Sequence, residues 1–392
     1  MEECKPILNT GLRGVVIAES RICDVDGANG RLIYRGYLIQ DLAKNASFEE
    51  VAYLLLYEKL PSKDELLELK KRLNVERQIP IEIIAALKTR PQDALPMDIL
   101  QCAVPMLAQH DTDIKDQSLE ASLGMAIKLI AKFPTIVAAW DRIRDGKEPL
   151  DPLPELNHAG NFLYMLSGNM PDEEVAKFFD TALVLHAEHS FNASTFAARE
   201  VASTRAHMYA AVAAAVGSLS GELHGGANER VMEMLFKIGS AADVKGYVNQ
   251  EFDAGRKIFG LGHAVYDTDD PRAHILAPMS KVMGERIGES KWYEISTLLE
   301  KTAKEEFKKR KATDIYVNVD FYSASLYYSL GIPVDLFTPV FAVSRIAGWC
   351  AHIIEEQFAG AAPKPMLYRP ESEYIGEYCG PDVCEYMPLG ER

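Results

Sequence analysis

The sequence predicts a mainly α-helical protein with a short β region at its N-terminus. Helix-start signals recur from residue 47 onward, each followed by apolar residues on one helical face. Paired turn signals between short apolar runs, by contrast, are confined to the first 40 residues. No repeat with a period of 20–50 residues, no low-complexity tract and no long linker interrupts the chain.

The β region is expected at Val15–Ala18 and Leu32–Tyr34, on either side of the turn formers Asp26-Gly27 and Asn29-Gly30. Ser47-Phe-Glu-Glu50 has capping-box spacing before an apolar run that stops at Pro61, and Ser62-Lys-Asp-Glu65 repeats the device ahead of Leu66–Leu73. Proline-bounded helices are expected next over Ile81–Lys88, Met97–Gln109, Leu119–Lys132, Thr135–Arg144 and Asp172–Leu185. Pro149, Pro152 and Pro154 mark a loop, because helical periodicity resumes at once. Ala193–Leu219 is so rich in small residues that its helices should pack closely.

The 392 residues carry 42 Lys+Arg against 57 Asp+Glu, a formal charge of −15. That balance argues against a general nucleic-acid binder and against a basic membrane-surface protein. It leaves anionic ligands open, because net charge describes a whole surface and a binding site is local. Met1-Glu-Glu-Cys-Lys5 lacks the basic start and apolar run of a signal peptide, so a cytoplasmic location is expected. The six cysteines are scattered, as reduced structural thiols would be. Cys379 and Cys384 form a C-x4-C pair with no second pair or nearby histidine to complete a zinc set.

Chemistry-bearing residues gather in four places. In His186-Ala-Glu-His189 the two imidazoles fall at i and i+3, on one face if the segment is helical. They could then share a metal, or be two core histidines bonded to backbone. Leu223-His224-Gly225-Gly226 precedes an amphipathic run, and its glycines let backbone or substrate approach closely while the next helix N-terminus favours an anion. Gly260-Leu-Gly262-His263-Ala-Val-Tyr266, followed by Asp270-Pro271-Arg272, again sets glycines around a histidine with a cation nine residues on. The third glycine of a dinucleotide fingerprint is missing there. Lys308-Lys-Arg-Lys311 is either a solvated helix face or a local anion site, and it precedes Asn318-Val-Asp320, where Asp320 is either a buried carboxylate or a helix cap.

Taken together these pieces resemble the citrate synthase family. The matching text runs in family order from Gly11-Leu-Arg-Gly14 through Pro96-Met-Asp98, Asn161–Met165, His186–Ser194, Leu223–Asn228, Gly260–Arg272, Asn318–Ser323, Phe337–Gly348 and Arg369-Pro370, nearly the whole chain. The resemblance implies a citrate synthase-like fold: a large helical domain over residues 1–224 and 327–392, with a smaller inserted domain over 225–326 that closes over the substrates. It implies a homodimer that condenses an acyl-CoA with oxaloacetate and needs no metal or other cofactor. By position, His224, His263 and Asp320 match the family's catalytic residues. His189, Arg272 and Arg345 match its oxaloacetate ligands, Arg369 matches the arginine lent by the partner subunit, and Lys311 and Lys257 match positions that meet CoA phosphates.

Those residue types suit the reaction. A methyl proton beside a thioester is hard to remove, so a carboxylate base must act together with a donor to the thioester oxygen. Arginines suit a dicarboxylate because the guanidinium fork matches a carboxylate at two points and stays charged.

The chain departs from the family pattern at several positions. Asp267 stands where a Lys or Arg is usual, removing a cation near the expected CoA phosphates and adding a repulsive charge. Glu222 and Val317 each replace a usual proline, Gln101 a frequent arginine, and Ala264 a common arginine. Asp267 is expected to weaken CoA binding, and Glu222 to favour a charged His224. Acetyl-CoA is the expected acyl donor, with 2-methylcitrate synthase acting on propionyl-CoA as the alternative. A metal hydrolase built on His186 and His189, or a catalytically silent relative, are the readings from other classes.

Overall fold

The computed structural model describes residues 10–12, 14–263, 265–360, 362, 364–376 and 387–391. Its β region is a three-stranded antiparallel sheet of β1 (Cys23–Asp26), β2 (Arg31–Tyr34) and β3 (Tyr37–Leu38) in the order β1-β2-β3. The turn after Asp26 closes on itself, with Asp26 accepting from the Asn29 backbone at 3.1 Å and from its side chain at 2.8 Å. Val15–Ala18 is not a strand. Register pairs Cys23 with Tyr34 and Asp26 with Arg31, so the arm opposite β2 must abut the turn, while Val16 lies exposed without a partner strand.

Sixteen α-helices follow among the described residues. The first seven are α1 (Ile39–Asn45), α2 (Phe48–Tyr57), α3 (Lys63–Glu76), α4 (Ile81–Lys88), α5 (Pro96–Gln109), α6 (Leu119–Arg144) and α7 (His158–Ser167). Both expected capping boxes form: Ser47 with Glu50 opens α2, and Ser62 with Glu65 opens α3. Pro134 does not split α6 into the two helices expected. The residues on both sides of it are buried against α3, α5, α7 and α16 (below), and that packing outweighs the one lost backbone bond.

The remaining helices are α8 (Glu173–His186), α9 (Ala193–Ser203), α10 (Met208–Leu219), α11 (Ala227–Ile238), α12 (Val244–Asp253), α13 (Pro271–Arg286), α14 (Lys291–Lys311), α15 (Val319–Ser329) and α16 (Phe337–Gln357). Almost every side chain of α16 is buried, with α2, α6, α8, α9 and α10 packed around it. The small residues of α9 and α10 do bring those helices into extensive contact. Helices α11 to α15 pack chiefly on one another, α13 against α15 and α12 against α14, while α13 also meets α1 and α8. Helix α6 and the span Val334–Gln357 are long and apolar enough to cross a membrane, but 78% and 94% of their apolar windows are buried inside this protein, so both are core helices.

Candidate active site

The turn between α8 and α9 carries the first group. Tyr34 reaches up from β2 to clasp this turn, donating to the Glu188 carbonyl at 2.8 Å and accepting from the Glu188 backbone N–H at 3.2 Å. Helix α8 ends at His186, so His186 and His189 do not share a helical face as the metal reading required. The His186 ring is buried, donates from Nδ1 to the Ala182 carbonyl at 2.8 Å, and is pushed down to about 3 by burial. His189 turns the other way. Its Nε2 lies 3.3 Å from the Tyr266 hydroxyl, and its ring meets His263 edge to face at 5.3 Å. Burial, then the charge of Arg272, holds His189 neutral, well below the usual imidazole range. No cluster of three His, Cys, Asp or Glu side chains among the described residues could hold a metal ion.

His224 sits in the turn before α11 and presses its Nε2 onto the N-terminus of α9. The Ser194 backbone N–H donates to Nε2 at 3.2 Å, and the Ser194 hydroxyl lies 2.8 Å away. The hydroxyl accepts from Trp349 Nε1–H at 3.1 Å, and its single proton lies between His224 Nε2 and the Asn192 side-chain oxygen, 2.8 Å away. With Nε2 accepting, the proton resides on Nδ1. Burial, with Arg345 nearby, lowers the ring to about 4. The expectation that Glu222 would charge His224 fails. Glu222 is exposed and pairs with Arg230 at 2.9 Å, and it contributes nothing to the shift.

His263 is fixed in the opposite sense. Its Nδ1 accepts from the backbone N–H groups of Val265 and Tyr266, each at 3.0 Å, so the proton lies on Nε2. Burial, then Arg272, lowers it to about 4. The loop before it needs its glycines: Gly260 has φ +77°, and a Cβ there would stand 2.7 Å from the Phe321 ring. Asn318, the N-cap of α15, donates its backbone N–H to the Gly260 carbonyl at 2.9 Å and its side chain to the Gly262 carbonyl at 3.1 Å. Asn318 therefore ties the His263 loop to the helix that begins with Asp320. Val317 donates its N–H to Asp269 at 3.1 Å, a bond that the proline expected there from the resemblance could not make.

Asp320 lies in the first turn of α15 without capping it. Burial and the neighbouring Asp270 raise its carboxyl to about 7, against the pull of Arg272 and Arg345. No described side chain forms an ion pair with it. Arg272 is held by Asp270 at two points, 2.9 and 2.7 Å, with both residues buried. Arg345 is equally buried, donates Nε to the His186 carbonyl at 2.7 Å and lies over the Phe341 ring at 4.7 Å. Among the described residues no carboxylate pairs with Arg345, and burial lowers its pKa.

Six of the nine side chains singled out in the sequence thus converge: His189, His224, His263, Asp320, Arg272 and Arg345. The other three stand apart. Arg369 is exposed on an extended segment whose neighbour Tyr368 is anchored to Glu356 at 2.8 Å. Lys257 is exposed after α12. At the end of α14, Lys308, Lys309 and Arg310 all pair with acids, whereas Lys311 lies over the Phe307 ring at 5.0 Å. Asp267 is exposed between His263 and Arg272, Gln101 bonds the Ala213 carbonyl, and Ala264, Cys379 and Cys384 lie outside the described residues.

Several residues that shape this cleft were not singled out from sequence: Ser194 and Trp349 behind His224, Asp270 on Arg272, and Tyr34 and Tyr266 around His189. Asp270 alone had a local signal, a carboxylate two residues before an arginine across a helix-starting proline. The arrangement offers two N–H donors from neutral imidazoles, one carboxylate that titrates near neutral pH, and a buried arginine, Arg345, that no described carboxylate bonds directly.

A family profile described as "Citrate synthase, C-terminal domain" matches residues 11–371. The citrate synthase of Haloferax volcanii is 43% identical over 392 residues, covering 98% of this chain and 99% of that protein. The 2-methylcitrate synthase of Shewanella oneidensis is 37% identical over 377 residues, covering 96% of this chain and 97% of that protein. Among solved structures, the ternary complex of the Thermoplasma acidophilum citrate synthase with carboxymethyl coenzyme A and oxaloacetate superposes with a TM-score of 0.90. It is 32% identical and covers 98% of this chain and 100% of that one.

Proposed function

This chain belongs to the citrate synthase family, and we propose that it condenses acetyl-CoA with oxaloacetate to give citrate and free CoA, with the roles that follow. The observation that carries the reading is the pair of imidazoles held in opposite tautomers. His224 and His263 each have one nitrogen occupied by backbone N–H donors, which leaves each with one N–H to donate, and the charges that act on these rings, Arg345 and Arg272, also act on Asp320.

In this reading Asp320 takes a methyl proton from acetyl-CoA while His224 Nδ1–H hydrogen-bonds the thioester oxygen, offsetting charge as the enolate forms. The enolate carbon attacks the ketone carbon of oxaloacetate, and His263 Nε2–H stabilises the developing alkoxide. Water then cleaves the citryl thioester, and CoA leaves as the thiol. His189, Arg272, Arg345 and Arg369 of the partner subunit hold the oxaloacetate carboxylates. Lys257 and Lys311 meet the CoA phosphates. Every step is carried by side chains and water, without metal or cofactor.

Residues 225–326 form the smaller domain, which closes on the larger one, residues 1–224 and 327–392, and excludes water from the enolate. The mutual packing of α11 to α15 supports this division. The enzyme acts as a homodimer in the cytoplasm, because Arg369 can complete a site only if a neighbouring subunit delivers it. Thiol release from acetyl-CoA and propionyl-CoA, each with saturating oxaloacetate, tests the reading. A higher kcat/KM for acetyl-CoA is expected, and equal or better use of propionyl-CoA would assign 2-methylcitrate synthesis instead.

A further inference from the structure

The N-terminal sheet touches the site at both of its ends. At one end Tyr34 holds the turn that carries His189, bonding both the N–H and the carbonyl of Glu188. At the other end the β1–β2 turn lies on the loop that carries His263. There the Gly27 carbonyl accepts from Asp267 N–H at 3.0 Å. A Cβ at Gly27 would overlap the Val265 carbonyl oxygen, and one at Gly30 would stand 2.6 Å from the Thr268 hydroxyl. Val265 is one of the two residues whose N–H fixes His263 Nδ1.

The turn contributes little to the core. Gly27 and Gly30 bring no side chain, and the sheet is already anchored by Ile22, Leu32 and Tyr34, all fully buried. Nor is Gly27 there for its backbone angles. Gly30 has φ +62°, but Gly27 is not among the residues of positive φ, so any residue could adopt its conformation. Closeness to the His263 loop is what keeps the position empty. The geometry points to the β1–β2 hairpin as a brace that sets His189 against His263, with Gly27 as a positioning residue for the loop. This rests on the reading that those two histidines bind oxaloacetate.

Gly27→Ala adds one methyl group at the contact, and it is to be compared with the unaltered dimer in three measurements. Hydrogen exchange of the peptide spanning residues 262–269 is expected to quicken about tenfold as the Asp267 amide loses its partner. The kcat/KM for oxaloacetate is expected to fall about tenfold or more, as ångström-scale misplacement of a binding group does. The KM for acetyl-CoA at saturating oxaloacetate should move by no more than about threefold, because His263 serves the ketone and Asp267, on the same loop, bears on CoA only through an exposed charge. Asp26→Ala, which frees Asn29 and Arg31 and loosens the turn without adding atoms, should give the same pattern more weakly, and it carries the test if Gly27→Ala does not fold. Unchanged exchange with unchanged oxaloacetate kinetics would overturn the brace. So would a parallel rise in both KM values with a lowered Tm, which is what general destabilisation produces. If the unaltered protein releases no thiol with oxaloacetate, the functional reading fails, while the exchange measurement still decides whether the hairpin holds the loop.

Discussion

Asp270 grips Arg272 through two bonds of 2.9 and 2.7 Å, whereas Arg345, just as buried, bonds no carboxylate among the described residues and feels only the nearby charge of Glu188. Burial without a directly bonded counter-ion is costly, and the nearby Glu188 charge offsets only part of it, so burial still lowers the Arg345 pKa. In the proposed reading a dicarboxylate entering beside it supplies a directly bonded charge. Arg345→Gln should therefore raise the KM for oxaloacetate about ten- to a hundredfold, the equivalent of one charge-assisted hydrogen bond. It should also abolish most of the rise in Tm that oxaloacetate gives the unaltered protein. A full thermal response in the variant would contradict this.

Asp320 is destabilising where it is useful. Its carboxyl titrates at about 7 in the folded chain and near 3.9 when unfolded, so the folded state binds the extra proton between those values. Stability from this group therefore falls as pH rises from about 4 to about 7, then stays flat. Asp320→Asn should gain up to about 4 kcal/mol at pH 8, less whatever water reaching this half-buried group screens. Near pH 4 the gain should vanish. Denaturant unfolding at the two pH values checks it, and an equal ΔΔG at both would be the wrong result.

Asp267 is exposed on the loop next to His263, where it would repel CoA phosphates. Asp267→Lys should lower the KM for acetyl-CoA about three- to tenfold at low salt and less at high salt, as screening shortens the reach of the charge. Steady-state kinetics at two ionic strengths provide the test. No change at either would separate Asp267 from the CoA site.

Arg369 is exposed and bonds none of the described cleft residues, although Tyr368 beside it is anchored to Glu356. A mixture of Arg369→Ala and His224→Ala chains should regain about a quarter of full activity through hybrid dimers that hold one intact site. Verified subunit exchange without recovery would place Arg369 outside the site.

What was legible in the sequence was largely local. Ser47 with Glu50 and Ser62 with Glu65 are helix starts written within four residues, and they form as written. The Asp26–Gly30 turn was equally plain, yet its first arm lies at Cys23 rather than Val15, because pairing depends on register. Pro134 reads as a break and is overridden by packing that only the folded chain supplies. His186 and His189 look like one helical pair, but a tyrosine more than 150 residues earlier holds the turn that separates them. The cleft was legible as a set of motifs. Its protonation states were not, since Ser194 and Trp349 set the tautomer of His224, and burial sets the carboxyl of Asp320.

The pH dependence of kcat/KM for acetyl-CoA, with oxaloacetate saturating and thiol release as the signal, tests the central claim most directly. His224 and His263 are neutral above about 4, so they impose no limb in the neutral range. Activity should rise with pH through a single ionisation at about 7, where Asp320 becomes the base, and then level off. A profile flat from pH 5 to about 9, or one that Asp320→Asn leaves unchanged, would contradict the assignment of Asp320 as the base.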